Sequence, residues 1–285
     1  PLLQAALDVG AEVTVCSGKP GDPGHRLAHR SVVMDYSDVD AVLALARQRA
    51  PAALLPGVTD VSYLTGAEVA SRLGLPGFDP PETAEIVFRK DRFRAYAERQ
   101  GLPVPRAVTA PARIGELRFP VLVKPADAYS GRGIVRVDEP VGLEPAYREA
   151  LAASASGQAV IEEFRPGQLH SHSAFVRQGR IVCEFYVDEY CTVYPYQVNS
   201  SCLATAMSPT LKDRVSACLQ HIVADLRLCD GLVHTQFIAS GEDFWLIELT
   251  RRCPGDLYSH LIEYATGAPY AALFAAPFLG HELQH

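Results

Sequence analysis

The chain has 285 residues, 48% of them hydrophobic and 21% charged, which is ordinary globular composition and enough length for about two domains with a real core. Its 26 basic and 33 acidic residues leave a net charge of −7 without any long basic run, so neither a nucleic-acid nor an anionic-membrane partner is indicated. No apolar run approaches the ~18 residues of a membrane span, no signal peptide is visible, and the seven cysteines are scattered, odd in number and without a CxxC pair, as expected of reduced thiols in a cytoplasmic protein.

The chain opens at Pro1 without a methionine and ends at His285 just after an apolar segment, so both ends are expected to be trimmed. Leu2 to Val9 is predicted as the end of a helix stopped by Gly10, and Ala11 to Cys16 as a short strand. Asp38 to Arg49 is predicted helical with Asp38 as N-cap, Ala52 to Leu55 as a second strand, and Ser62 to Leu73 as a helix closed by Gly74. Such alternation predicts a parallel α/β sheet. The Pro/Gly-rich stretch from Gly74 to Pro81 marks a domain boundary. Helices around Glu82–Phe88 and Asp91–Gln100 follow, and then strands dominate: Val121–Lys124, Ile134–Val137, Ala159–Glu163, His170–Arg177 and Arg180–Val187. Pro209 to Leu226 is an amphipathic helix, with Val215, Leu219, Ile222, Val223 and Leu226 at helical spacing. Leu232–Ala239 and Phe244–Leu249 form a hairpin across Ser240–Asp243.

Three segments could carry chemistry. The strand Val121–Lys124 delivers a lysine and then runs into a loop containing Ser130, Gly131, Arg132 and Gly133. Glycines let backbone N–H groups approach phosphate oxygens, Lys124 adds a fixed positive charge, and Ser130 and Arg132 could add side-chain donors. The bland alternative is a mobile hairpin with a surface lysine; a Walker P-loop is excluded, because GxxxxGK[ST] occurs nowhere. In the C-terminal hairpin Gln236 and Glu248 can face each other as oxygen ligands for Mg²⁺, and Arg252 could reach a phosphoryl or carboxylate group; the alternative is a solvated strand end with an Arg–Glu pair. Finally, Val160 to Gly167 is an apolar strand ending in Glu162 and Glu163 and then a turn, which could offer backbone groups to a flat heterocycle.

The order and spacing of these segments, with Lys90 ahead of them, resembles the ATP-grasp superfamily over nearly the whole chain, and within it the carboxylate–amine ligases, including amino-acid ligases that make dipeptides. The resemblance implies an α/β (α+β) ATP-grasp fold preceded by a partial Rossmann-like domain over residues 1–80 that lacks its first strand. The ATP-grasp part would cover residues 81–285, with a lid subdomain over about 106–161 and a C-terminal subdomain over about 162–285. By the same resemblance Lys90 and Lys124 hold nucleotide phosphates, and Ser130, Gly131, Arg132 and Gly133 form the lid. Glu162, Glu163, Phe164 and Arg165 form the adenine hinge, with Leu122 and Ile238 covering the ring. Gln236 and Glu248 bind metal, and Arg252 contacts the reacting phosphoryl group. Three positions depart from the family's pattern. Gln236 stands where an acidic residue is usual, Thr250 where an asparagine often serves the second metal, and Leu169 where a glutamate commonly meets the ribose, a contact that His170 or Gln168 would have to replace.

The implied activity is ATP-dependent joining of a carboxylic acid to an amine through an acylphosphate, with ADP and phosphate released and Mg²⁺ or Mn²⁺ as the metal. The partners would be a small carboxylic acid and an amine, both amino acids by this resemblance, and related enzymes are often homodimers. The tyrosine- and acid-rich segment from Tyr186 to Asn199, including Asp188 and Tyr196, is a candidate acceptor pocket, with an ordinary sheet surface as the alternative. Arg251 and Cys253–Asp256 are candidates for binding the substrate carboxylate. Competing readings are a bicarbonate-using carboxylase-type enzyme and a non-catalytic ATP-binding module. The HExxH pattern at residues 281–285 lacks a further ligand after it, and His25 and His29 lie in a Gly/Pro-rich loop.

Overall fold

The computed structural model describes residues 1–128 and 131–281. The N-terminal part runs α1 (Leu2–Asp8), β1 (Thr14–Ser17), α2 (Gly24–Leu27), β2 (Arg30–Val33), α3 (Val39–Arg49) and α4 (Asp60–Leu73). Helix α3 starts where expected, with the Asp38 carboxylate accepting from Ala41 N at 3.0 Å. Helix α4 is capped by Thr59 and ends at Gly74, whose φ of +68° is a left-handed conformation that suits glycine. The expected parallel sheet is reduced to the pair β1–β2. Residues 52–55 do not form the predicted strand. Pro51 and Pro56 bracket them, and each removes a backbone donor that a ladder would need.

Helices α5 (Pro81–Phe88) and α6 (Lys90–Gln100) lead into two antiparallel sheets. The smaller has the order β3-β6-β4-β5, formed by β3 (Ala107–Val108), β4 (Val121–Pro125), β5 (Val135–Val137) and β6 (Ala159–Glu163). Helix α7 (Leu143–Ala153) covers one face, where Val121, Val123, Val137, Ala146, Ala150 and Ile161 make an apolar core. Alternation along β4 and β6 sends Leu122, Lys124 and Glu162 to the opposite face.

The larger sheet has the order β11-β10-β7-β8-β9, formed by β7 (Gln168–Arg177), β8 (Arg180–Tyr190), β9 (Ser200–Leu203), β10 (Gly231–Ser240) and β11 (Asp243–Thr250). Helix α8 (Pro209–Asp225) buries Val215, Leu219, Ile222 and Val223 in the main core. It covers the face carrying Tyr186, whose hydroxyl donates to Lys212 O at 2.8 Å. Helices α9 (Tyr258–Thr266) and α10 (Tyr270–Ala275) pack on the other face, where the Tyr258 and Tyr270 hydroxyls meet Ser171 and Ser173. That second face carries the candidate site.

Candidate functional site

Gln236 on β10 lies directly opposite Glu248 on β11, so both side chains share one face of the sheet. Thr250, two residues on, keeps to that face, as does Ile238 beyond Gln236. Just past β11, Arg252 Nε donates to Asp60 Oδ1 at 2.7 Å, at the first residue of α4. Burial works against the Arg252 charge, but the Asp60 and Glu248 carboxylates outweigh it and hold the guanidinium pKa above its usual value. Asp60, Lys90, Glu248 and Thr250 line a single small cavity together with Phe88 and Phe93.

Lys90 is tied to the end of β4: its N–H donates to Ala126 O at 3.0 Å and its ammonium to Ala128 O at 2.7 Å. Lys124 is almost fully buried and paired with Glu162 Oε1. Glu162 Oε2 takes two bonds from Arg94, at 3.1 Å from Nε and 2.9 Å from Nη2. Arg94 Nη2 also donates to Ile247 O on β11 at 2.7 Å, so this guanidinium links the two sheets. Burial raises the Glu162 pKa, but Lys124 and Arg94 more than offset it, and the carboxylate stays charged.

The loop after β4 needs its glycines. Gly131 and Gly133 have φ of +71° and +68°. A Cβ on Gly131 would lie 2.8 Å from Tyr196 O, and one on Gly133 would lie 2.8 Å from Pro125 Cγ. Arg132 is exposed between them, and Ser130 lies outside the described residues. Asp127, unmarked by the sequence, anchors the neighbouring turn by accepting from Ser154 Oγ, Ala155 N and Ser156 N at 2.7, 3.1 and 2.8 Å.

At the hinge, only part of the backbone faces outward. Glu163 N donates to Arg106 O and Phe164 N to Pro120 O, both at 2.9 Å. The Glu163 carboxylate accepts from Arg118 N at 3.1 Å and from Arg165 Nη2 at 2.7 Å, and Arg165 lies 5.1 Å above the Trp245 ring. Phe164 sits under Arg136 at 4.5 Å, and Arg136 is the β5 partner of Leu122.

Three sequence candidates, His170, Asp188 and Arg251, fall elsewhere. His170 is on the α8 face: it pairs with Phe237 and stacks on it at 5.2 Å, with Asp188 Oδ1 2.8 Å from its Nδ1. Strand alternation therefore points His170 and Asp188 away from Gln236 and Glu248. Arg251 is not available to a substrate carboxylate. It is fully buried, with Nε 2.7 Å from Asp79 Oδ2 and further bonds to Leu232 O and Cys229 O at 2.6 and 2.7 Å. Its neighbour Arg252 is bonded instead to Asp60, which lines the cavity.

Glu189 belongs to the tyrosine- and acid-rich segment from Tyr186 to Asn199, where the sequence does not single it out. This residue is 4% exposed and accepts from Gln236 Nε2 at 2.5 Å. Burial, then repulsion from Glu248 and Asp256, pushes its carboxyl up to about 7, against hydrogen bonds from Ser171 and Gln236. Sheet register alone would have revealed it: Gln236 pairs with Ser171, and Ser171 pairs with Val187, two residues before Glu189.

Among the described residues no group of three or more His, Cys, Asp or Glu is placed to hold a metal by itself. All seven cysteines are free, and burial pushes the Cys253 thiol up to about 12. The last four residues of the HExxH pattern lie outside the described residues. No described helix is long and apolar enough to cross a membrane.

No protein-family model matches the chain. Among solved structures, the L-amino acid ligase from Bacillus licheniformis superposes with a TM-score of 0.81 at 20% identity, covering 98% of this chain and 70% of that one. The biotin carboxylase domain of Hydrogenobacter thermophilus 2-oxoglutarate carboxylase superposes with a TM-score of 0.83 at 17% identity, covering 100% and 68%. The chain has the ATP-grasp fold. Among curated proteins, this ATP-grasp chain is 27% identical over 226 residues to a formate-dependent phosphoribosylglycinamide formyltransferase from Prochlorococcus marinus, covering 73% of this chain and 57% of that protein. It spans about half the length of the curated relatives it matches.

Proposed function

We propose that this chain is the catalytic core of an ATP-dependent carboxylate–amine ligase that works through an acylphosphate and releases ADP and phosphate. The observation that carries this reading is the convergence of Lys90, Glu248 and Thr250 on one cavity, with Gln236 opposite Glu248 and Arg252 bonded to Asp60 at its wall. The donors fit a hard divalent cation: a carboxylate and an amide oxygen face each other, and Mg²⁺ or Mn²⁺ completes such a shell with phosphate oxygens and water. Bound there, the cation would supply charge neutralisation at the phosphates.

In this reading Lys90 and Lys124 hold nucleotide phosphates. Lys124 has one of its three donors engaged by Glu162, which leaves the ammonium pinned but able to donate further. Leu122, Phe164 and Ile238 offer apolar surface to the adenine, and the backbone of residues 162–165 offers its edge. Gly131, Arg132 and Gly133 would close over the phosphates and keep water from the acylphosphate. An oxygen of the acid attacks the γ-phosphorus, and the bond to the β-phosphate oxygen breaks. The amine then adds to the acyl carbon, phosphate leaves, and the amine gives up a proton. Arg252 stabilises charge on the transferring group, and no protein nucleophile is required.

The relatives favour small acids. The curated one is formate-dependent by name, and the carboxylase domain was solved with MgADP, ADP and bicarbonate. Formate, bicarbonate and amino acids are therefore the acids to test, each with amines. The experiment is Mg-ATP turnover with these pools and a Glu248→Ala control. ADP and phosphate appearing only with an acid–amine pair, and lost in the control, supports the ligase. Cleavage that needs bicarbonate alone favours the carboxylase reading. AMP and pyrophosphate would refute the acylphosphate route.

A further inference from the structure

Gln236 is an unusual oxygen donor because its carboxamide has two faces of nearly equal shape. One turns a carbonyl oxygen towards Glu248. The other turns an NH₂ group there, which would repel a cation. Something must choose between them. In the sheet, β7 separates β10 from β8, yet Glu189 at the end of β8 reaches past Ser171 to Gln236. Its Oε2 takes the Gln236 Nε2 hydrogen at 2.5 Å. In this contact the Gln236 nitrogen donates and the Glu189 oxygen accepts, which puts the nitrogen on the Glu189 side and leaves the oxygen on the other. Glu189 is 4% exposed, so water cannot readily take its place.

We propose that Glu189 is a positioning residue that fixes the Gln236 carboxamide with its oxygen presented beside Glu248, making Gln236 an oxygen ligand for a divalent cation. The proposal rests on the reading of Gln236 and Glu248 as cation ligands. Groups that orient a ligand without touching the metal commonly affect its affinity about 10- to 100-fold.

The test is Mn²⁺ affinity in the presence of ADP, followed by electron paramagnetic resonance, with melting curves to show that each variant is folded. Glu189→Ala should weaken Mn²⁺ binding by about 10-fold or more, and Glu189→Gln, whose amide oxygen still accepts from Gln236, should recover most of it. The decisive comparison is in the Gln236→Glu background. A carboxylate has two equivalent oxygens and needs no orienting, and it would stand against the Glu189 carboxylate. Removing Glu189 should therefore tighten Mn²⁺ binding in Q236E and weaken it in the native sequence. A residue that merely supports the sheet would act in the same direction in both. Wild-type affinity in E189A, with binding lost in Glu248→Ala, would overturn the proposal and leave the cation reading intact. The same sign of effect in both backgrounds would also overturn it. Unchanged affinity in E248A would remove the cation reading and the proposal together.

Discussion

Asp60 and Arg252 stand 192 residues apart in sequence and meet at 2.7 Å, so the start of α4 holds the guanidinium proposed to face the reacting phosphoryl group. Asp60→Ala should release Arg252 and lower kcat/KM by about 10- to 100-fold, since misplacing a charge-stabilising group costs on that scale. The side chain is 22% exposed, so the melting temperature should change little. Steady-state ADP formation and a melting curve together check this. A large loss of stability with unchanged activity per folded molecule would contradict it.

Arg94 joins the two sheets by bonding both Glu162 and Ile247 O. Arg94→Met leaves Glu162 buried with Lys124 as its remaining cationic partner, and should cost roughly 3–5 kcal/mol in urea denaturation. Arg94→Lys should recover only part of that loss, because one ammonium cannot reproduce the fork.

Asp79 has its pKa held below the ordinary 3.8, because Arg251 and hydrogen bonds from Cys229 and Tyr63 outweigh its burial. A depressed folded pKa contributes stability that is present above the unfolded value and is lost as pH falls through the folded value. Asp79→Asn should therefore destabilise the protein by about 3–5 kcal/mol at pH 7, with the penalty shrinking below about pH 4. Urea denaturation of both proteins at pH 7 and pH 3 measures it. An equal penalty at both values would show that the charge of Asp79 is not what matters.

Gly133 combines a φ of +68° with a side-chain direction blocked by Pro125 and Ala153. Gly133→Ala should cost about 1–3 kcal/mol and should raise KM for ATP as the loop shifts. Gly157, with a similar φ of +65° but nothing within 4 Å of a Cβ, is the control. Gly157→Ala should cost only about 1 kcal/mol, without any effect on KM.

Much of the architecture was legible because it is written locally. The Asp38 cap, the Gly74 stop and the hairpin across Ser240–Asp243 each depend on a few adjacent residues, and the facing of Gln236 and Glu248 follows from that hairpin. The partners of the site were not legible, because they are set by distant pairing. Arg94 meets Glu162 across 68 residues and Glu189 meets Gln236 across 47, and neither pair leaves a local pattern. That His170 shares a face with Phe237 rather than with Gln236 was not legible either, because the face of a residue relative to the site depends on the pairing between strands. The two-residue β3 and the four-residue β9 are too short to show periodicity. The apolar run 52–55 resembled a strand until its flanking prolines and lack of a partner are taken into account.

The most direct test of the central claim uses the acid that supports ATP turnover, labelled with ¹⁸O in its carboxylate. Transfer of the γ-phosphoryl group to that carboxylate, followed by attack of the amine, must carry one acid oxygen into the released phosphate. The account predicts one ¹⁸O per phosphate formed, in step with ADP. Phosphate that contains only solvent or ATP oxygen would contradict it.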